Sequence, residues 1–162
     1  MKGVNKVIDL LNKQLTLELT SMDQYLAHSK LYEDWGIHKL HQQLAHEYEE
    51  ELEHAQKLIE RILFLEGTAD TASRAAINVG SSVKEMLEND LAAEREVAES
   101  LRMIIGVCEA EKDYVSREIL EKLLDDTETD HIYWLEQHLG LIDRIGLQNY
   151  IQSQMGSAAA LT

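Results

Sequence analysis

The chain has 162 residues, 44% hydrophobic and 28% charged, a balance that suits one globular domain with its own core. Its formal net charge of -15 disfavours binding to nucleic acid or to an anionic membrane and favours metal cations. The single Cys108 cannot form an internal disulfide, and the N-terminal MKGVNKVIDLL lacks the apolar run of a signal peptide. We therefore expect a cytoplasmic protein without a membrane span.

Helix-favouring residues dominate the sequence, and it contains no proline. Breaks are expected at residues 35–36, 67–82, 111–113 and 146. They leave four long helices at about 4–35, 38–66, 83–111 and 114–145 and a short fifth helix at 147–155.

Loop lengths predict how these helices are connected. Short turns after the first and third helices make antiparallel hairpins, whereas the long connection at 67–82 can run the length of a bundle. The predicted fold is an all-α antiparallel four-helix bundle with a long crossover between helices 2 and 3. We expect a single domain over residues 1–155 and a flexible tail over 156–162. The short fifth helix should pack against neighbouring subunits, because it is too small to bury Leu147, Tyr150 and Ile151 alone.

Acidic side chains interrupt the apolar face of every long helix. Residues spaced alternately by four and three share one face of a helix. The polar members of the four faces are Glu18, then Glu47, Glu51 and His54, then Glu94, then Glu128 and His131. Unpaired carboxylates are costly in a bundle core, so the same choice on four helices predicts a shared cation.

Two Glu-x-x-His motifs sharpen this prediction. Only His54 and His131 have a glutamate three residues earlier, in E-L-E-H and E-T-D-H. Residues equidistant from a hairpin turn lie at one height, which places Glu18 opposite His54 and Glu94 opposite His131. Carboxylates with one imidazole per metal suit iron or manganese, and a glutamate can bridge two ions. The sequence therefore predicts a dinuclear centre, with the nearby acids at 49, 50 and 53 pointing elsewhere.

Further segments carry a family resemblance. They are MKG at 1–3, LYEDWG at 31–36, ERILFLEG at 60–67, DYVSREIL at 113–120, HIYWLE at 131–136 and GLQNYIQSQ at 146–154. In these segments and both motifs the chain resembles bacterioferritins and related bacterial ferritins. The resemblance implies the ferritin-like fold and a 24-subunit shell that oxidises iron(II) at an intrasubunit ferroxidase centre and stores iron(III) mineral.

The resemblance also implies roles for individual residues. The matching metal positions of the di-iron centre are Glu18, Glu51, His54, Glu94, Glu128 and His131. Glu18 and Glu94 match terminal ligands, and Glu51 and Glu128 match bridging ones. Tyr25 and Trp134 match positions that quench radicals, although an aromatic residue on such a face is more often core. His46 and Glu50 match an inner-surface iron site, and an exposed helical pair is the alternative.

One position departs from the family pattern. Bacterioferritins hold heme between paired subunits with a methionine inside the Glu-x-x-His of the second helix, and Leu52 occupies that position here. We therefore expect little or no heme with bis-methionine ligation in the homo-oligomer, and the alternative is that porphyrin binds by apolar contact alone. Heme would be present where the chain co-assembles with a second, methionine-bearing bacterioferritin subunit. A ferredoxin-type reductant for iron release is the other partner that the resemblance implies.

Two alternative function classes stay open at this point. The same ligands serve small soluble di-metal oxidases, manganese catalases and peroxide-consuming proteins, none of which stores iron. A rubrerythrin-like protein is excluded, because its iron-sulfur module needs CxxC and this chain has one cysteine. A purely structural bundle would have to tolerate metal-free carboxylates in its core.

Overall fold

Helices account for most of residues 1–156, which are the residues that the computed structural model describes. The elements are α1 (Asn5–Asp34), α2 (His38–Phe64), α3 (Val83–Ala110), α4 (Tyr114–Asp126), a π-helical segment (Thr127–Ile132), α5 (Tyr133–Ile145) and α6 (Leu147–Met155). Backbone angles stay helical at both joins of the π segment, so α4, the π segment and α5 form one continuous rod. The predicted flexible tail lies outside the described residues from 157 onwards.

The helices pack as the predicted bundle. α1 lies along α2, α3 lies along the rod of α4 and α5, and the two hairpins meet mainly through α1 and α3. The all-α fold with a long crossover and a short C-terminal helix is confirmed. Within residues 1–156, no helix combines the length and the apolar character that crossing a membrane requires.

The crossover between α2 and α3 is tied to α1 along its length. Its main-chain N–H groups donate to side chains of α1: Asp70 to Asn12 at 2.8 Å, Ala75 to Thr20 at 2.9 Å, Asn78 to Gln24 at 3.0 Å and Gly80 to His28 at 3.2 Å. The order of the partners shows that the crossover runs parallel to α1. Gly80 is required at the last step, because a Cβ there would lie 2.7 Å from the main-chain nitrogen of Met86.

Two apolar clusters fill the two halves of the bundle. One is built around Leu15, Leu58 and Leu101, and the other around Tyr32 and Leu44. Polar side chains that are almost fully buried lie between them: Glu18, Glu47, Glu51, His54, Glu94 and His131. The apolar halves therefore fix the backbone around a layer of charge.

α6 is buried more completely by its own subunit than we expected from the sequence. Tyr150 is fully buried within the single chain, where α6 packs against α5 and α2. The expectation that this residue needs a neighbouring subunit was wrong, because α5 and α2 cover its ring and His138 in the middle of α5 supplies a polar partner for its hydroxyl. Leu147 and Ile151 are only partly buried in the chain.

A buried ion pair joins α2 to the start of α4. Arg61 is 7% exposed and donates to the Ser116 hydroxyl at 2.8 Å and to Asp113 at 2.7 Å. Asp113 also caps α4 by accepting from the N–H of Ser116 at 3.0 Å. One carboxylate thus begins a helix and neutralises a guanidinium from the other hairpin.

We expect Asp113→Ala to lower the free energy of unfolding by about 2–4 kcal/mol, because it removes a helix cap and leaves the buried Arg61 unpaired. Glu118→Ala, on the exposed face of the same helix, is the control and should cost less than about 1 kcal/mol. Denaturation followed by circular dichroism measures both. Equal stability of the two variants would contradict this role of Asp113.

Candidate metal centre

Five of the six predicted ligands meet in the polar layer of the bundle. Glu18 comes from α1, Glu51 and His54 from α2, Glu94 from α3 and His131 from the π segment. Each is at most 1% exposed. Their ligand atoms form two groups, Glu18–Glu51–His54 and Glu51–Glu94–His131, within each of which the atoms lie within 4.8 Å of one another. Two adjacent sites of similar composition result.

Glu51 belongs to both groups. Its Oε2 lies 3.7 Å from Nδ1 of His54, and its Oε1 lies 3.1 Å from Nδ1 of His131. On the far sides, Glu18 lies 3.6 Å from His54, and Glu94 lies 3.3 Å from His131. The two imidazole rings are nearly parallel, with centroids 6.0 Å apart. A carboxylate between two Glu–His pairs has the geometry of a bridging ligand.

The layer contains buried polar atoms without hydrogen-bond partners. They are Oε2 of Glu18, Oε2 of Glu47, both carboxylate oxygens of Glu51, Oε2 of Glu94 and Nδ1 of both His54 and His131. Buried polar groups are rarely left unpaired in native proteins. Lone pairs from carboxylates and imidazoles that face one another suit iron or manganese. The residues present therefore fit a pair of such ions.

Protons supply the positive charge when no cation is bound. Burial raises the pKa of Glu51 to about 8, and the charges of Glu18 and Glu94 act in the same direction. Burial would lower the pKa of His54, but its contacts with Glu18 and Glu51 raise it to about 11. The pKa of His131 is likewise raised far above its usual range, against burial, by Glu94 and other carboxylates. A cation that binds here displaces protons.

Two further carboxylates approach His131. Glu47 is 3% exposed, and its Oε2 lies 2.8 Å from Nε2 of His131. Glu50 is half-buried and lies 3.0 Å from the same nitrogen, so the expectation that it points elsewhere was wrong. Glu49 and Glu53 are exposed as expected. The spacing of apolar residues already placed Glu47 on the inner face of α2, and that signal could have identified it.

Glu128 is the predicted ligand that the structure does not bring to the centre. Its side chain is 44% exposed and pairs with Arg102 of α3 at 2.5 Å. Alternating spacings of four and three assume an α-helix, whereas residues 127–132 are π-helical and wind more widely. The Thr127 hydroxyl donates to the carbonyl of Leu123 at 2.9 Å at the start of this segment. From this segment His131 points inward, while the Glu128 side chain is turned outward to Arg102.

The remaining candidates lie around the centre. Tyr25 is buried, donates its hydroxyl to Glu94 and presents its ring edge to His131, with centroids 6.3 Å apart. His46 is exposed, and its Nε2 lies 3.4 Å from Glu50. Trp134 is half-buried and lines a surface cavity of about 360 Å³ together with His46 and Glu50. Since Glu50 also contacts His131, this cavity adjoins the metal layer.

A second buried polar group, on α1 and α3, was not predicted. Asp90 accepts from Gln24 at 2.7 Å and lies 2.8 Å from Nδ1 of His28. Nε2 of His28 accepts from Gly80, so its proton is on Nδ1 and the ring donates to Asp90. The group joins the crossover to the core. This group contains only one carboxylate, so no motif in the sequence indicated it.

Comparison with known proteins agrees with this architecture. The protein-family model described as the ferritin-like domain matches residues 8–145. A bacterial ferritin of Pseudomonas aeruginosa is 55% identical over 155 residues, covering 96% of this chain and all of the relative. A bacterial ferritin of Synechocystis is 54% identical over 155 residues, covering 96% of this chain and 99% of the relative. A bacterioferritin of Brucella melitensis is 40% identical over 160 residues, covering 99% and 98%.

The family model spans most of the chain, and the relatives match it almost from end to end. The fold, with its crossover and short last helix, and the paired Glu-x-x-His motifs agree with that match. The chain therefore belongs to the ferritin family, within its bacterial ferritins and bacterioferritins.

Proposed function

We propose that the protein stores iron, oxidising iron(II) at the centre that Glu18, Glu51, His54, Glu94 and His131 form. The observation that carries this proposal is the position of Glu51 between two Glu–His pairs. Two iron(II) ions held on either side of one carboxylate can deliver two electrons to one oxidant. The relatives' names, bacterial ferritin and bacterioferritin, support storage of the product.

Iron is the substrate in this reaction. Two iron(II) ions and dioxygen with two protons give two iron(III) ions and hydrogen peroxide. Hydrogen peroxide with two more iron(II) ions and two protons gives two further iron(III) ions and two water molecules. The chain's own groups hold the ions and release protons from Glu51 and the two imidazoles as the ions enter. Either dioxygen or peroxide fits this scheme as the oxidant.

Glu128 completes the set of ligands by turning inward. Its present partner is Arg102, and both side chains are about half exposed, so the pair contributes at most about 1 kcal/mol. Two metal ions beside Glu51 outweigh such a pair. Glu128 would then be the second bridging carboxylate, with Glu18 and Glu94 as terminal ligands.

His46 and Glu50 are placed to bind iron(II) that enters through the cavity beside the centre. Glu50 lies within reach of both His46 and His131, so an ion bound on the cavity surface is one carboxylate away from the centre. The net charge of -15 raises the local concentration of cations around the protein. A shell of 24 such subunits in the cytoplasm would enclose the mineral.

The family's heme site does not fit this chain. Leu52 has no lone pair, and none of the five methionines, Met1, Met22, Met86, Met103 and Met155, lies on α2. A homo-oligomer therefore has no thioether at the position that ligates heme in bacterioferritins. A mixed shell with a methionine-bearing subunit would regain one.

A small di-metal oxidase is the competing function, and particle size separates it from storage. Sedimentation velocity should give a particle of about 24 subunits, and aerobic additions of iron(II) should leave iron(III) cosedimenting with it. A small oligomer that turns over iron(II) and releases the product would contradict storage.

The double variant Glu94→Ala with Glu128→Ala should lower the rate of iron(II) oxidation by more than about 100-fold, since even changes to residues that only contact the ligands cost roughly 10–100-fold. Glu118→Ala, on the exposed face of α4, is the matched control.

Arg102→Gln tests the inward movement of Glu128. The change frees Glu128 from its surface partner, so we expect metal binding to the centre to be unchanged or up to about fivefold tighter. Titration with cobalt(II), followed by its visible spectrum, measures this without iron oxidation. Glu128→Gln should weaken the second cobalt(II) ion. Binding of two ions that is indifferent to Glu128→Gln would remove this residue from the site.

Leu52→Met tests the assignment of the heme position. Homo-oligomers of the unmodified chain, expressed with ample heme, should show no Soret band of bis-methionine heme, because the axial ligand is missing. The variant should gain that band. A strong bis-methionine spectrum from the unmodified homo-oligomer would overturn the proposal.

A further inference from the structure

Three aromatic side chains form a line that connects α6 to the cavity beside the metal centre. The His138 imidazole stacks on the Trp134 indole, with ring centroids 3.8 Å apart and planes inclined by 27°. The Tyr150 hydroxyl lies 2.6 Å from Nδ1 of His138, and the two rings are perpendicular. Contacts this short connect a fully buried phenol to a half-buried indole through one imidazole.

The indole end of this line adjoins the metal layer. Trp134 follows His131 by three residues in one continuous helical rod. Trp134 also lines the cavity that Glu47 and Glu50 line, and both of these carboxylates contact His131. An oxidant generated at the centre therefore meets Trp134 before it meets Tyr150.

We propose that Trp134, His138 and Tyr150 form a redox relay in which Tyr150 supplies an electron through Trp134 to an oxidant formed at the metal centre, while His138 takes the phenolic proton. The relay rests on the proposed oxidation of iron. Its role is to remove one-electron oxidants that arise when iron(II) and peroxide are not matched in number.

The environment of the Tyr150–His138 pair suits a coupled transfer. A phenol loses an electron readily only when its proton leaves at the same time, and a buried phenol needs a protein base for this. Burial lowers the pKa of His138, so the ring is neutral at neutral pH and Nδ1 can accept. Burial raises the pKa of Tyr150, so the phenol keeps its proton until the electron leaves.

Atoms and electrons balance in each step. One iron(II) ion, hydrogen peroxide and a proton give iron(III), water and a hydroxyl radical. The hydroxyl radical takes an electron from Trp134 and a proton from solvent and becomes water. Tyr150 returns an electron to the oxidised indole and passes its proton to Nδ1 of His138, which leaves a neutral tyrosyl radical beside an imidazolium. A later iron(II) ion and the proton on His138 restore the phenol.

Tyr32 provides a matched control within the chain. It is also fully buried, but its hydroxyl donates at 3.4 Å to the carbonyl oxygen of Val83. A main-chain carbonyl cannot take the proton, so oxidation of Tyr32 has no base to assist it. Burial and ring type are the same in both tyrosines, whereas the acceptor of the hydroxyl and the neighbouring rings differ, since Tyr32 lies against Trp35.

The test is freeze-quench electron paramagnetic resonance on the assembled protein mixed with excess peroxide. One iron(II) ion per subunit should give a tyrosyl signal, and two per subunit should give less, because paired iron(II) supplies both electrons. Tyr150→Phe should lose one component of the signal, and His138→Phe, which keeps a stacked ring but no base, should lose the same component. Tyr32→Phe should retain it. Circular dichroism and sedimentation establish that each variant is folded and assembled.

A second measurement needs no iron. Nitrogen NMR of the metal-free protein should show His138 protonated on Nε2 alone at neutral pH, with Nδ1 accepting from Tyr150. A proton on Nδ1 would overturn the relay, and so would rapid iron(II) oxidation with a tyrosyl signal that Tyr150→Phe leaves unchanged. Absence of iron(II) oxidation by the unmodified protein would instead overturn the proposed function, and with it the relay.

Discussion

Repulsion among buried carboxylates at mid-height of the bundle is the constraint on which the rest of the structure depends. Glu18, Glu51 and Glu94 come from three helices and meet with almost no exposure to water. Such a layer is tolerated only where protons or cations balance its charge. The apolar clusters above and below it contribute the stability that the layer itself does not. Each half of the core thus holds the helices at the spacing that the ligands need.

Much of the fold and of the centre could be predicted from the sequence, because short hairpin turns fix the register of the helices. Turns near residues 36 and 112 determine which residues lie at equal heights, and this placed Glu18 near His54 and Glu94 near His131. Helix boundaries followed from the absence of proline and from a few breaks in the pattern.

The failures have physical causes that the sequence alone did not reveal. Residues 127–132 wind as a π-helix, so the spacing rule no longer tells which side of the rod a residue occupies, and the Glu128 side chain pairs with Arg102 at the surface. Glu50 was expected to point away, yet a half-buried position at the edge of the apolar face lets its side chain reach inward. Tyr150 is buried by its own chain through His138, a pairing between two helices that no local pattern encodes.

The hydrogen bonds between the crossover and α1 have a consequence for how the chain folds. Each hairpin joins helices that are neighbours in sequence, so its contacts can form one after another outward from a short turn. The crossover bonds at Asp70, Ala75, Asn78 and Gly80 instead join residues 52 to 58 positions apart. Closing loops of that length costs more chain entropy. The α1–α2 hairpin can therefore form first, and the crossover settles onto α1 afterwards, where it directs α3 to the open side of that hairpin.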